Sequence, residues 1–381
     1  MNKLLFLGLM LFVVVALIFT SCAQPAQAPK PAPAISPVPA PAPVPAPAPT
    51  SAPAVKPAPA KTWNLKFAAF LPPSGKAEQV GYEPYVKLLE EATGGRVKAT
   101  VYAGGTIAHM TQTWEAVESG LADIAYVAVA AFYSSRTTLS CLTSLPMLAA
   151  PASKVTGKAL VDLYDKFPAI RDEYKGIKVL TFFGIPTDQI HTLKKPVRKL
   201  EDLRGMKIRS IGATAPAFMR AAGAVPVSMP SDEMYLSLER GIIDGIQFGT
   251  LGIESNSLYP VTKYHTMADV SATFFIYAMN QNTWDSFPPD IQEAIWKKMG
   301  GIAGAEWLGT RLQDLSGELV EWYKSLGHEI IYPPADELAR WKEIARPIWD
   351  SEIKRLEAKN LPAKAIHEEY KQLLKKYEGE R

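Results

Sequence analysis

The sequence predicts an α/β protein in two lobes, and three observations predict it. Strand-like and helix-like segments alternate from residue 62 onward, the order that gives sheets flanked by helices. Gly and Pro punctuate many of the junctions, where they stop helices and turn the chain. Residues 62–381 number 320, enough for two cores. In such folds ligands bind beyond the carboxyl ends of the strands. Each lobe is therefore expected to be a mainly parallel sheet flanked by helices, with a ligand cleft between the lobes.

The chain ahead of that region sets the compartment. Lys3 precedes an apolar run, Leu4–Phe19, of 16 residues. A membrane span needs about 20, so residues 1–21 read as a secretory signal. Thr20-Ser21-Cys22 is similar to a bacterial lipobox, with Phe19 where Leu is usual. Cys22 is expected to carry lipid and anchor the exported chain to the membrane; an ordinary signal cleaved nearby, or an uncleaved anchor, is the alternative. Ala23–Ala60 is almost entirely Pro and Ala. It cannot bury a core, and as polyproline II it reaches about 100 Å. A lipidated Cys22 leaves Cys141 without a partner in the chain, so the fold must rest on its core rather than on a disulfide. The net charge of +3 gives no strong bias toward a charged partner. The cluster Lys194, Lys195, Arg198 and Lys199 reads as a solvated loop, and no nucleic acid partner is expected.

The elements follow in order. Thr62–Phe70 reads as a strand, broken by "LPPSG". Tyr82–Ala92 is an amphipathic helix stopped by Thr93-Gly94-Gly95. Arg96–Tyr102 alternates as a strand, Thr111–Leu121 is helical and Asp123–Ala128 is an apolar strand. Ser153–Tyr164 is a helix with Ser153 as N-cap, and Ile177–Phe183 is a strand. "GIPTDQIHT" then reads as a loop. Met206–Ser210 is a strand, and Pro216–Ala222 is a helix with Pro in its first turn. Val225–Met229 (strand), Ser231–Arg240 (helix, capped by Gly241) and Ile242–Phe248 (strand) come next. Val270–Met279 reads as one long strand. From Pro289 the pattern is helical, except at Glu329–Tyr332.

A search for chemistry returns little. The five histidines, at 109, 191, 265, 328 and 367, show no metal-ligand spacing. "GGIAGAEW" lacks the Lys-Ser/Thr of a phosphate loop, and there is no G-x-S-x-G elbow. No catalytic residue, metal or cofactor is expected, and the chain does not read as an enzyme. Trp307, Trp322, Tyr323, Trp341 and Trp349 sit at helical spacing and read as packing residues. Tyr126, Phe183 and Phe248 stand at strand ends, where a pocket would be. Strand alternation places Lys207 and Arg209 on one face. Arg209, nearer the strand's end, offers a planar fork that meets a carboxylate with two parallel hydrogen bonds.

Several blocks resemble one family. "EEATGGRVKATVYAGGTI" (90–107), "AVESGLADIAY" (116–126) and "LPMLAA" (145–150) look like the first lobe of DctP-type solute-binding proteins of TRAP (tripartite ATP-independent periplasmic) transporters. "LEDLRGMKIRS" (200–210), "AAGAVPVSMPSDEMYLSLERGIIDGIQ" (221–247) and "MNQNTWDSFPPDIQEAI" (279–295) continue the match. The resemblance implies a periplasmic-binding-protein-like fold, with lobe I at 62–185 plus roughly 272–312 and lobe II at 186–271 plus roughly 313–381. It implies capture of a small organic acid and delivery to a small and a large membrane subunit. It maps the family's carboxylate-binding arginine onto Arg209. Many relatives have Glu-Asn where this chain has Gln247-Phe248, and a second cation near the place of Asp188 and Gln189. Those departures imply a monocarboxylate with an apolar or aromatic body. The expected binding set is Arg209, Phe248, Gln247, Tyr126, Phe183, Asp188 and Ser231. Rival readings are a sensor feeding a signalling receptor, an exported enzyme, and an adhesion or scaffold lipoprotein.

Overall fold

The computed structural model describes residues 61–148 and 152–379; the predicted signal, Cys22 and the Pro/Ala segment lie outside them. The first sheet starts with β1 (Trp63–Ala68), which pairs in parallel with β2 (Val97–Tyr102) on one side and β3 (Ile124–Val127) on the other. β2 is an edge strand, and the exposure of its residues alternates. β3 is central and buried at all four positions, as an all-apolar strand covered on both faces should be. β4 (Ile177–Gly184) forms the far edge. Between β3 and β4 lies β10 (Phe274–Asn280), antiparallel to both.

The second sheet has the order β11 (Glu329–Ile331), β9 (Tyr264–Ser271), β5 (Asp188–Thr192), β8 (Gly245–Gly249), β6 (Lys207–Arg209), β7 (Val225–Val227). β6 is parallel to β7 and β8, and β11 to β9, while β5 is antiparallel to both its neighbours. Both sheets are thus mixed rather than mainly parallel. The cause is the same in each. β10 and β5 arrive from the opposite sheet through links of two or three residues, and no helical crossover turns them round.

These two links are also where the element reading differs. The expected long strand over 270–279 is two strands in different sheets, β9 and β10, parted at Ala272-Thr273. The expected loop at 184–192 contains β5. Its polar sequence, DQIHT, is buried throughout because its side chains bond to neighbouring strands. The links run side by side: Ile185 N–H donates to Thr273 O (3.2 Å). Asp188 Oδ2 accepts from Ser271 Oγ (2.8 Å) and Thr273 Oγ1 (3.1 Å), which pins one link to the other.

Most helices lie where the periodicity puts them. Tyr82–Ala92 buries Tyr85 and Leu89, and Gly94 and Gly95 follow it with positive φ, a region open to Gly without a Cβ penalty. Ser153 is the first residue of the helix Ser153–Lys166 rather than its cap; its N–H bonds Gln313 Oε1 (3.1 Å) instead. Ser231–Arg240 resolves into a 3-10 turn, Ser231–Glu233, and a helix, Met234–Glu239. The long helix Gly301–Ser325 packs on β4 and on Ser153–Lys166. The C-terminal helix Ala363–Glu378 also packs on Ser153–Lys166, with Tyr377 OH donating to Asp162 Oδ2 (2.7 Å). It therefore sits on the first sheet's side, whereas the resemblance implies a place in lobe II.

Candidate functional site

β6 is only three residues long, yet its ends differ sharply. Lys207 is exposed, whereas Ile208 and Arg209 are buried. Arg209 is 1 % exposed, and its one hydrogen bond to a described residue is from Nε to Met229 O (3.2 Å). The guanidinium carbon lies 5.2 Å from the centre of the Phe248 ring, within cation–π range. Arg209 has no ion-pair partner among the described residues. Burial pulls its pKa down to about 10, and Asp188 pulls the other way; at neutral pH it stays charged. Its Nη groups are thus an unused fork at a cavity of about 130 Å³.

All seven predicted positions line this cavity: Tyr126, Phe183, Asp188, Arg209, Ser231, Gln247 and Phe248. They divide into distinct tasks by geometry. Tyr126 stacks on Phe70 (centroids 4.7 Å, 8°), Phe275 (5.0 Å, 20°) and Phe183 (5.8 Å, 12°), so these rings form an aromatic wall. Burial holds the Tyr126 hydroxyl well above its usual pKa, so it remains neutral. Gln247 is engaged at both ends of its amide, accepting from Ser210 Oγ (2.8 Å) and donating to Ser271 Oγ (2.7 Å). Ser271 in turn donates to Asp188 Oδ2. Ser210, Gln247, Ser271 and Asp188 therefore form one buried chain of hydrogen bonds under Arg209. Burial raises the Asp188 pKa, against its two hydroxyl donors and the nearby Arg209. Ser231 Oγ donates to Met110 Sδ (3.7 Å), a contact across the cleft from one lobe to the other. Gln189 faces away and bonds Asp269 Oδ1 (2.8 Å), within the bulge where β5 and β9 shift register.

Phe70, Tyr82, Met110, Phe275 and Tyr277 also line the cavity, and the sequence pattern did not single them out. Phe70 could have been found, because it follows the carboxyl end of β1. Phe275 and Tyr277 could not, because the strand that carries them reads as continuous with β9. Cys141 lines the cavity as a buried free thiol. Among the described residues there is no cluster of metal-ligating side chains and no helix long and apolar enough to cross a membrane.

A sequence model of the bacterial extracellular solute-binding proteins, family 7 (DctP), matches residues 67–355. The chain belongs to this family. It is 25 % identical over 300 residues to the C4-dicarboxylate-binding periplasmic protein DctP of Rhodobacter capsulatus, covering 76 % of this chain and 86 % of that protein. Its fold is similar to that of a TRAP solute binding protein from Rhodoferax ferrireducens in complex with copurified benzoate: TM-score 0.78, 21 % identity, 83 % of this chain and 98 % of that one. A marine metagenome TRAP solute binding protein, in complex with 3-hydroxybenzoate, gives TM-score 0.78, 23 % identity, and coverage of 83 % and 99 %. The two-lobed fold and the family membership make this chain an extracytoplasmic solute receptor of the TRAP type. The cavity at Arg209 is lined by residues of both sheets, among them Tyr126 and Phe275 of the first and Asp188, Arg209 and Phe248 of the second.

Proposed function

We propose that this family 7 receptor captures a monocarboxylate with an apolar or aromatic body, and that Arg209 holds the carboxylate. The observation that carries the reading is a buried guanidinium whose Nη groups have no protein partner among the described residues, set against a wall of stacked aromatic rings. Each charge-assisted hydrogen bond from the fork contributes about 1.5–3 kcal/mol once water is excluded. Arg209 is the one Lys or Arg among the described residues lining the cavity, and Asp188 lies beside it. A second ligand carboxylate would find no cation there and a like charge nearby. The size agrees: apolar cavities of about 150 Å³ accept a benzene ring. Phe248 stacks on the cation, Tyr126 and Phe183 flank the ligand body, and Gln247 and Asp188 hold the floor in place. Ser231 meets Met110 at the closing edge. Two relatives of the same fold carry benzoate and 3-hydroxybenzoate, ligands of this class.

Ligand shifts the lobes toward the closed state only through contacts made better there, and a carboxylate enclosed on Arg209 supplies such contacts. The closed receptor then delivers its cargo to the small and large membrane subunits of the transporter. Lipid on Cys22 and the Pro/Ala segment keep it tethered nearby. No catalytic step is part of this cycle. Calorimetric titration with benzoate and succinate tests the reading, with Arg209→Ala alongside. Benzoate is expected to bind and the variant to lose about 2–5 kcal/mol, as when one partner of a buried charge pair is truncated. Preferential binding of succinate, or an unchanged Arg209→Ala variant, would sink it.

A further inference from the structure

Asp188 holds the cavity floor with one oxygen and leaves the other free. Oδ2 accepts from Ser271 Oγ (2.8 Å) and Thr273 Oγ1 (3.1 Å). Oδ1 accepts from no described residue, and it is not one of the sealed polar atoms without a partner. Asp188 keeps 7 % of its surface and lines the cavity. Oδ1 lies at the wall, because a Cβ on Gly249, another lining residue, would touch it at 3.7 Å. Thr273 is half-buried and also lines the cavity. Its hydroxyl gives its proton to Asp188, so its lone pairs remain to accept. This open acceptor stands near the open fork. β5 and β6 flank β8, with Asp188 opposite Gly249 and Arg209 opposite Ile246. The Arg209 guanidinium reaches the ring of Phe248, the residue next to Gly249. Each of the two charges bears on the other's pKa, yet the two form no ion pair.

Among the described residues lining the cavity, Asp188 is the one carboxylate, as Arg209 is the one Lys or Arg. Their charges balance. A plain monocarboxylate carries an uncompensated negative charge into the closed site, and an unpaired buried charge is costly. A ligand with an ammonium beside its carboxylate brings no net charge. The ammonium also has protons for both Asp188 Oδ1 and Thr273 Oγ1, whereas a hydroxyl in that place has one. We propose that Asp188 Oδ1 and Thr273 Oγ1 form an ammonium subsite, so that the preferred ligand is a zwitterionic α-amino acid with an apolar or aromatic side chain. This rests on the carboxylate reading above and adds a second pole to it.

The test is calorimetric titration of the purified chain at neutral pH with phenylacetate, mandelate and both enantiomers of phenylglycine. These acids share ring and carboxylate and differ by hydrogen, hydroxyl or ammonium on the carbon between them. One phenylglycine enantiomer is expected to bind about tenfold or more tighter than phenylacetate, the scale of one hydrogen bond between charged groups, and tighter than mandelate. In Asp188→Asn the amide oxygen takes the Ser271 and Thr273 protons, which turns the amide nitrogen to the cavity, and the preference for phenylglycine is expected to be lost. Thr273→Val keeps the shape and the Asp188 charge. There the preference is expected to fall about threefold or more, and this variant stands if Asp188→Asn fails to fold. Tightest binding by mandelate would overturn the ammonium assignment. Phenylacetate that binds as tightly as phenylglycine and depends on Arg209 would overturn the subsite and leave the carboxylate reading intact. A preference for phenylglycine that survives both substitutions would overturn the subsite as well. Failure of all these acids and of benzoate to bind would overturn the carboxylate reading, and the subsite with it.

Discussion

Arg209 illustrates how one residue's role depends on what its neighbours leave free. The Met229 carbonyl takes Nε, the guanidinium carbon lies over the Phe248 ring, and the Nη fork remains. Lysine in its place would keep a charge but lose the fork and the stacking. Arg209→Lys is therefore expected to recover only part of the benzoate affinity lost in Arg209→Ala, and the same calorimetric series reads both. In the sequence this residue stands out only through the family resemblance, because strand alternation alone puts Lys207 on the same face. The tasks of its neighbours do not stand out at all. Gln247 and Asp188 were expected at the ligand, and they do line the cavity. Yet most of their hydrogen-bonding capacity is spent on Ser210, Ser271 and Thr273. Such engagement depends on pairing between strands far apart in sequence, which no local pattern encodes.

At the scale of elements, β5, β9 and the turn before β11 carry three linked histidines. His191 Nε2 meets Phe248 O (3.0 Å), His191 Nδ1 meets His265 Nδ1 (2.6 Å), and His265 Nε2 meets His328 Nδ1 (2.9 Å). A carbonyl can only accept, so His191 Nε2 carries a proton and its neutral ring accepts at Nδ1. His265 Nδ1 must then donate, its Nε2 accepts, and His328 Nδ1 donates in turn. Protonating His191 or His265 would set N–H against N–H. Burial lowers the pKa of His191 to about 4. Burial first, then both flanking imidazoles, lowers that of His265. Between an unfolded value near 6.5 and these folded values, the unfolded chain binds more protons, so stability falls as pH falls. The urea midpoint is expected to drop from pH 7 to pH 4.5, and to drop less in His265→Phe, where the ring stacked on Tyr323 (5.0 Å, 14°) is kept without the titrating nitrogens. An equal pH slope in the variant would count against this account. The same strand explains a failure of sequence reading. β5 escapes notice because Asp188, Gln189, His191 and Thr192 look like loop residues until their partners on β8 and β9 are known.

For the whole molecule, the alternation of strands and helices was sufficient for an α/β protein in two lobes. It could not reveal that the chain passes between sheets on extended links, because an apolar strand looks the same on either side of a break such as Ala272-Thr273. At the N-terminus the prediction concerns tethering. With Cys22 lipidated, the wild-type chain is expected in the membrane fraction and Cys22→Ser in the soluble fraction after cell lysis. Equal partitioning of the two would remove the anchor from the proposal. Cys141 is the single thiol among the described residues, and burial pushes its pKa up to about 12. Because that thiol is buried and lines the cavity, a thiol reagent is expected to reach it only while the lobes are apart. The rate of its modification is then a clock for lobe separation, built into the native sequence. Saturating benzoate is expected to slow that clock, and a rate indifferent to ligand would mean that the thiol is reached by another path.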